Sequence, residues 1–385
     1  MYIRLLSKTL LELDNQVIAF YPEPEKLTTW LKANCPEQIQ QFHAFPMQES
    51  KPVSLPILGR LPQPFNVLRR WHHAANTIKK ASSQLGYAPD LVFFNWIDSY
   101  LSNYLSYPII DQIFPYPWSG ICFQPRLQFN PSQPKRQGWV DYQAVLNSPR
   151  CRSVAVMDEG HATLLQDKIS SPVVTFPDLT DESPPDPDFS VVNQLYEKAR
   201  GRKIIGLLGS LNKRKGLLTL LAVAQKSQQE NWFFAFVGQL SPYLFAPEEL
   251  TRIKDFAKSP PSNCFFHLEL IPDEPQFNAV VNACDILFAA YENFPYSSNL
   301  LTKAAVFRKL VIASEEFCIG ERVRRFRLGI TIEQGNVGGC IKALHELCDH
   351  PDSSLAKLQP DFTGCHQRHS ASQLRTVLEE ILANA

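Results

Sequence analysis

The chain has 385 residues, too many for one ordinary core and enough for two domains of similar size. Its 44% hydrophobic and 20% charged residues exclude a disordered chain, and 38 Lys and Arg against 38 Asp and Glu leave no overall field that would draw it to nucleic acid. No apolar run approaches the ~20 residues that span a bilayer, and Arg4, Lys8 and Glu12 interrupt the N-terminus as a signal peptide would not. Nine cysteines without a Cys-x-x-Cys pair read as the reduced thiols of a cytoplasmic protein.

A helix-like stretch, residues 2–14, comes first. Strand candidates then follow at 16–22, 90–96, 119–124, 153–158 and 172–177, each rich in β-branched and aromatic residues, with helical patterns at 65–85 and 97–113. This alternation predicts an α/β domain over 1–177. A Pro- and Asp-rich stretch, "DLTDESPPDPDF", opens a predicted linker at 178–200. A second α/β domain is predicted over 201–365, with strands beginning at 203, 232, 264, 285 and 309 and helices between them. Residues 366–385 form a last helix, free to cross back to the first domain. Open α/β sheets place ligands at the carboxyl ends of their strands. A doubly wound domain normally opens with a strand and a small-residue loop. Here a helix opens it, so the first strand is expected to be absent or to lie upstream of Met1.

Two loops carry the chemistry. In "KIIGLLGSLNKRKGLLTLL", 203–221, a buried strand ends at Gly209 and Ser210, and Arg214 and Lys215 bring positive charge to the turn before a helix. In "YENFPYSSNLLTKAA", 291–305, Ser297, Ser298 and Asn299 stand between a buried strand and a helix, where small polar residues cap the helix and backbone N–H groups favour an anion. A diphosphate would engage both loops at once. Glu292 is placed to accept hydrogen bonds from sugar hydroxyls. Cys365, His366 and His369 fall short of a metal set.

These pieces, with "FAFVG", "ACDILFAAYENF", "AAVFRKLVIAS" and "GERVRRFRLGITI", resemble the donor-binding half of GT-B glycosyltransferases of retaining family 4, over about residues 203–345. The resemblance implies two Rossmann-like doubly wound domains and transfer of a sugar from a nucleotide-sugar donor, with retention. It makes Lys215 the phosphate-binding lysine and Glu292 the first of the family's paired glutamates, the catalytic-site acid that orients the donor sugar. The second glutamate has no counterpart. Leu300 stands at its regular spacing, and Lys303 aligns if "FRKLVIAS" is held fixed. The family's arginine beside the strand's glycine is Ser210 here, and its glycine-rich loop after the first strand is missing. Family variants with a Ser-Ser-Gly-like loop are closer, and they make Ser298 and Asn299 diphosphate contacts. Lys303, Glu321, Asn95 and His161 are further candidates for donor or acceptor contacts.

The expected partners are a nucleotide-sugar and a saccharide, lipid or small-molecule acceptor, with no nucleic acid. No metal or other cofactor is required if the basic loop and helix dipole replace one. "RVRRFR", 322–327, is a candidate contact with an anionic membrane surface, which would make the cytoplasmic protein peripheral at the membrane. The competing readings are a non-catalytic GT-B-like binding protein, an inactive N-terminally truncated transferase, and another enzyme on the same frame such as a nucleotide-sugar epimerase.

Overall fold

A computed structural model of the chain describes residues 2–47, 54–55, 59–60, 63–125, 141–349 and 351–384. The chain is α/β and divides into two units, Met1–Pro177 with Ser370–Ala385, and Asp178–His369.

Unit 1 runs α1 (Tyr2–Glu12), β1 (Val17–Tyr21), α2 (Pro24–Asn34), β2 (Phe42–Pro46), the short antiparallel pair β3 (Ser54–Leu55) and β4 (Gly59–Arg60), α3 (Gln63–Leu85), β5 (Val92–Phe94), α4 (Tyr107–Ile113), β6 (Trp118–Cys122), β7 (Cys151–Val156), α5 (Glu159–Gln166) and β8 (Val173–Thr175). Strands β5-β6-β7-β8 form one parallel sheet, and β1 pairs in parallel with β2. The core between the larger sheet and its helices is aromatic. The Trp71 ring on α3 meets Phe94, Phe114 and Trp118 at 5.3, 5.1 and 5.4 Å, and its Nε1–H donates to the Tyr100 carbonyl at 3.0 Å.

The helix expected over 97–113 is broken. Only Ile97–Tyr100 makes a tight helical turn before α4 begins. Pro108 has no N–H to give, so a helix can hold it only in the first turn and must start there.

Unit 2 runs α6 (Ser190–Ala199), β9 (Lys203–Leu208), α7 (Leu217–Lys226), β10 (Trp232–Val237), α8 (Pro247–Lys258), β11 (Cys264–His267), α9 (Glu274–Ala283), β12 (Ile286–Ala289), α10 (Leu300–Val306), β13 (Leu310–Ser314), α11 (Phe317–Phe326), β14 (Gly329–Ile332), α12 (Val337–Asp349), α13 (Pro351–Leu358) and α14 (Phe362–Arg368). A final helix, α15 (Ala371–Ala383), belongs to unit 1 and packs on α1 through the buried stripe Leu374, Val377, Leu378 and Ile381. The predicted linker is corrected: Ser190–Ala199 is a helix of unit 2 that packs on α9 and β11, because Val191, Leu195 and Ala199 share one apolar face.

The unit 2 sheet is fully parallel, in the order β11-β10-β9-β12-β13-β14. Its strands are near-continuous apolar runs because helices cover both faces. Ile204, Leu208, Phe233, Ala235, Val237, Leu287 and Ala289 point into one layer, and Ile205, Leu207, Trp232, Phe234, Phe236, Ile286 and Phe288 into the other.

Both chain crossings between the units are tied down on the unit 2 side. Asp178 N–H donates to His369 Nδ1 at 3.0 Å, the Asp178 carbonyl accepts from the Thr302 hydroxyl at 2.7 Å, and the Asp178 carboxylate faces Arg322 Nη1 at 3.2 Å. Burial, reinforced by Arg322, Arg368 and Arg325, pushes the His369 imidazole down to about 2. The folded protein therefore keeps this ring neutral while the unfolded chain protonates it below its ordinary pKa of ~6.5. Stability from this group is complete above that value and falls as pH drops through it. Between pH 7.5 and 5.0 the loss is about 2 kcal/mol. Urea unfolding of the wild type and of His369→Asn, whose side-chain carbonyl can accept the same N–H, should differ in pH dependence by that amount. Identical pH dependence would contradict the neutral, buried ring.

Candidate functional site

Strands β9, β10 and β11 are laid down outward in one direction, and β12 then returns to the other side of β9. Loops leaving β9 and β12 must part to opposite faces of the sheet, which opens a crevice at their carboxyl ends. The two polar loops found in the sequence are these loops.

After β9, Gly209 takes φ +87°, a left-handed conformation that glycine adopts without strain. A Cβ there would lie 3.1 Å from Lys215 Nζ, so the missing side chain leaves room for the ammonium group. Asn212 caps the tight turn Lys213–Lys215, its side-chain oxygen accepting from Lys215 N–H at 3.2 Å. Half-buried Lys215 folds back over the strand end, where Nζ donates to the Leu208 carbonyl at 2.8 Å and lies 5.6 Å from the centre of the Tyr291 ring. Ser210 is exposed beside Ser241, with the two hydroxyls 3.2 Å apart. Lys213 points elsewhere, to Glu249 at 2.5 Å. That hydrogen bond raises the ammonium's pKa and lowers the carboxyl's.

The β12 loop is joined to this one by main-chain and side-chain bonds. Glu292 N–H donates to the Arg214 carbonyl at 2.7 Å, and Glu292 Oε1 accepts from the Thr219 hydroxyl on α7 at 3.1 Å. Gly216, at φ +71°, has no room for a Cβ, which would come 2.5 Å from the Ala290 carbonyl. The exposed Arg214 guanidinium stacks 4.2 Å above the centre of the Phe294 ring. Arg214, Lys215, Gly209, Ser210 and Glu292 are thus brought together on one connected pair of loops.

The Ser-Ser-Asn triplet is arranged differently from an ordinary cap. Asn299 precedes the seven-residue α10 in helical conformation, and its side chain makes no capping bond. Ser298 does that work instead, its hydroxyl 3.4 Å from both Leu300 N–H and the Tyr291 hydroxyl. Ser297 is half-buried and Asn299 exposed.

Lys303 does not reach the loops. Its side chain is 3% exposed, and its ammonium donates to the Asp181 carbonyl, Glu274 Oε2 and Asn278 Oδ1 at 3.2, 3.0 and 2.5 Å. Three acceptors for three donors make it a packing cation, so its expected role as a donor or acceptor contact is corrected. Leu300, at the regular spacing from Glu292, is buried in the core. In "RVRRFR", Arg324, Arg325 and Arg327 are exposed and Arg322 is not. Arg322 is buried opposite Asp178, Arg324 donates to the Glu315 carbonyl at 2.6 Å, and Arg327 to the Gln359 carbonyl at 3.0 Å. Glu321 is exposed on α11.

In unit 1, His161 is buried at the start of α5. Its ring Nδ1 and main-chain N–H both meet Asp158 Oδ1, at 2.7 and 2.6 Å. Half-buried Asn95 follows β5, next to Trp96, whose ring centre lies 5.1 Å from that of Phe123. The Asp98 carboxylate is used in folding: it accepts from Phe123 and Gln124 N–H at 2.9 and 2.8 Å. Sequence reasoning missed Thr219, Tyr291 and Phe294. Asn212 could have been found, because an Asn three residues before an amide that needs a partner is a cap signature.

The architecture matches solved GT-B glycosyltransferase structures over the whole chain. Sucrose-phosphate synthase from Thermosynechococcus elongatus superposes with a TM-score of 0.67 at 17% identity, covering 100% of this chain and 93% of that one. HepE of Anabaena, solved with UDP and glucose, gives 0.66 at 15% identity over 99% and 95%. A glycosyltransferase from Rickettsia africae gives 0.64 at 16% identity over 100% and 94%. No family model matches the chain, and no curated protein matches it in sequence.

Proposed function

We propose that the protein is a glycosyltransferase that takes a sugar from a nucleotide-sugar donor, with retention of configuration. The observation that carries this reading is the hydrogen-bonded pair of loops at the switch point, with two cations and an acid on it. Lys215 and Arg214 supply positive charge to the leaving diphosphate, a contribution made where charge develops. Gly209 and exposed Ser210 let its oxygens come close to the backbone, and Ser297, Ser298 and Asn299 meet it from the other loop. Glu292, held by Thr219, accepts from the donor sugar's hydroxyls and fixes its orientation. On unit 1, His161, steadied by Asp158, and Asn95 are the candidate donor or acceptor contacts. This charge balance asks for no metal. The HepE structure with UDP and glucose supports the donor class by likeness of fold.

A second reading, a binding protein that does not transfer, is favoured by Leu300 in the core and Lys303 in a packing network, since neither offers a second acid. Calorimetric titration with UDP, GDP and ADP, followed by an assay of nucleotide release from the matching nucleotide-sugars, separates the two. Binding with release, and a product whose anomeric configuration by NMR equals the donor's, supports transfer. Binding without release under a broad acceptor panel favours the second reading. Failure of every nucleoside diphosphate to bind overturns both.

A further inference from the structure

The chain has no net charge, yet no acidic residue occurs between Glu49 and Asp90, an interval holding six Lys and Arg. Most of the described residues of the interval are in α3, a helix whose apolar stripe, Val67, Trp71, Ala75 and Ile78, is spent on the core. Its outer face carries Phe65, His72, Asn76, Lys79, Lys80 and Ser83, all exposed. Among the described residues, neither Lys79 nor Lys80 stands in an ion pair. Of the acids flanking these helices, Asp90 is exposed beyond the C-terminal end of α3, Asp98 is turned inward to Phe123 and Gln124, and Asp111 on α4 meets Ser148 Oγ at 2.6 Å and Arg150 at 3.9 Å.

Alongside α3, on the same core, lies α4 with the turn before it. Ile110 of α4 is buried there while Tyr107 and Ile109 stay 38% and 43% exposed, and Tyr104 and Phe65 reach 44% and 58%. Scattered single apolar residues need no explanation, but their grouping on two adjacent helices and the turn before the second does: a cationic stripe on α3, which contains no acid, lies beside two tyrosines, an isoleucine and a phenylalanine at the surface.

We infer that the outer faces of α3 and α4 form a docking surface for an anionic lipid bilayer. Lys79 and Lys80 would meet the headgroups, and Tyr104, Tyr107, Ile109 and Phe65 would enter the boundary with the acyl chains, the side-chain mixture that interfacial surfaces use. A polyphosphate such as RNA would satisfy the lysines but give Ile109 and Phe65 no apolar partner.

The test is flotation of the full chain with vesicles of phosphatidylcholine alone and of phosphatidylcholine with phosphatidylglycerol. Binding should require the anionic lipid and weaken as salt is raised. Since each basic residue near such a surface contributes about fivefold in affinity, Lys79→Glu with Lys80→Glu should reduce it by about tenfold or more. Tyr107→Ser with Ile109→Ser should reduce it severalfold at any salt, and Arg325→Glu on α11 should leave it unchanged. All five positions are exposed, and an unaltered circular dichroism spectrum confirms folding. Equal binding to both vesicles, no binding, wild-type binding by the lysine variant, or charge-dependent binding to RNA without binding to vesicles would overturn the inference.

Discussion

Asp178→Ala should lower the stability of the protein by about 3 to 5 kcal/mol, the cost of leaving a buried cation without its counterion. The side chains of Asp178 and Arg322 are 3% and 4% exposed, so water cannot replace the lost carboxylate cheaply. Arg322 also lies on α11 against the core through its neighbours Val323 and Ile319, so the guanidinium cannot swing out without disturbing that packing. The alanine keeps the main-chain bonds to His369 and Thr302, which isolates the charge term. Urea unfolding of Asp178→Ala, Arg322→Met and the double variant forms a cycle. The double variant should be more stable than Asp178→Ala, because it removes the stranded charge and keeps an apolar stem. A single-variant loss below about 1 kcal/mol would show that the pair contributes no more than a surface ion pair does.

Lys215→Ala should weaken nucleoside diphosphate binding by about tenfold or more, since a charge-assisted contact to phosphate is worth roughly 1.5 to 3 kcal/mol. The substitution should leave the fold intact. Lys215 is only half-buried, and the one hydrogen bond it forfeits is to the Leu208 carbonyl at the end of β9, beside Gly209. Lys213→Ala is the matched control, because Lys213 is engaged with Glu249 and not with the crevice. Equal diphosphate affinity in wild type and Lys215→Ala, by calorimetry, would remove Lys215 from the site.

Much of the fold was legible because a strand covered by helices on both faces must be apolar throughout. "KIIGLL", "WFFAFV" and "DILFAA" could hardly be anything else, and they mark β9, β10 and β12. Their spacing with helices gave a parallel sheet, and hence which loops lie at carboxyl ends. What stayed hidden depended on contacts distant in sequence. Lys303 looked like a functional cation because nothing local says that Asp181, Glu274 and Asn278 converge on it. Arg322 looked exposed within an arginine-rich run, since its partner lies 144 residues away. Ser190–Ala199 was lost in a linker because a Pro-rich stretch drew attention from the ten residues after it.

The register of the unit 2 sheet bears on how the lysine works. β9 pairs with β10 along its whole length but with β12 only at Ile205 and Gly206, so the two strands separate before Leu208. Lys215 uses one of its three N–H groups on the Leu208 carbonyl, which leaves two for an incoming anion. A long side chain that already rests at its point of use loses little rotational freedom when it binds. Under the proposed function the splayed strand end thus acts as a parking place, and it sets the ammonium group in advance where the charge of the diphosphate would arrive.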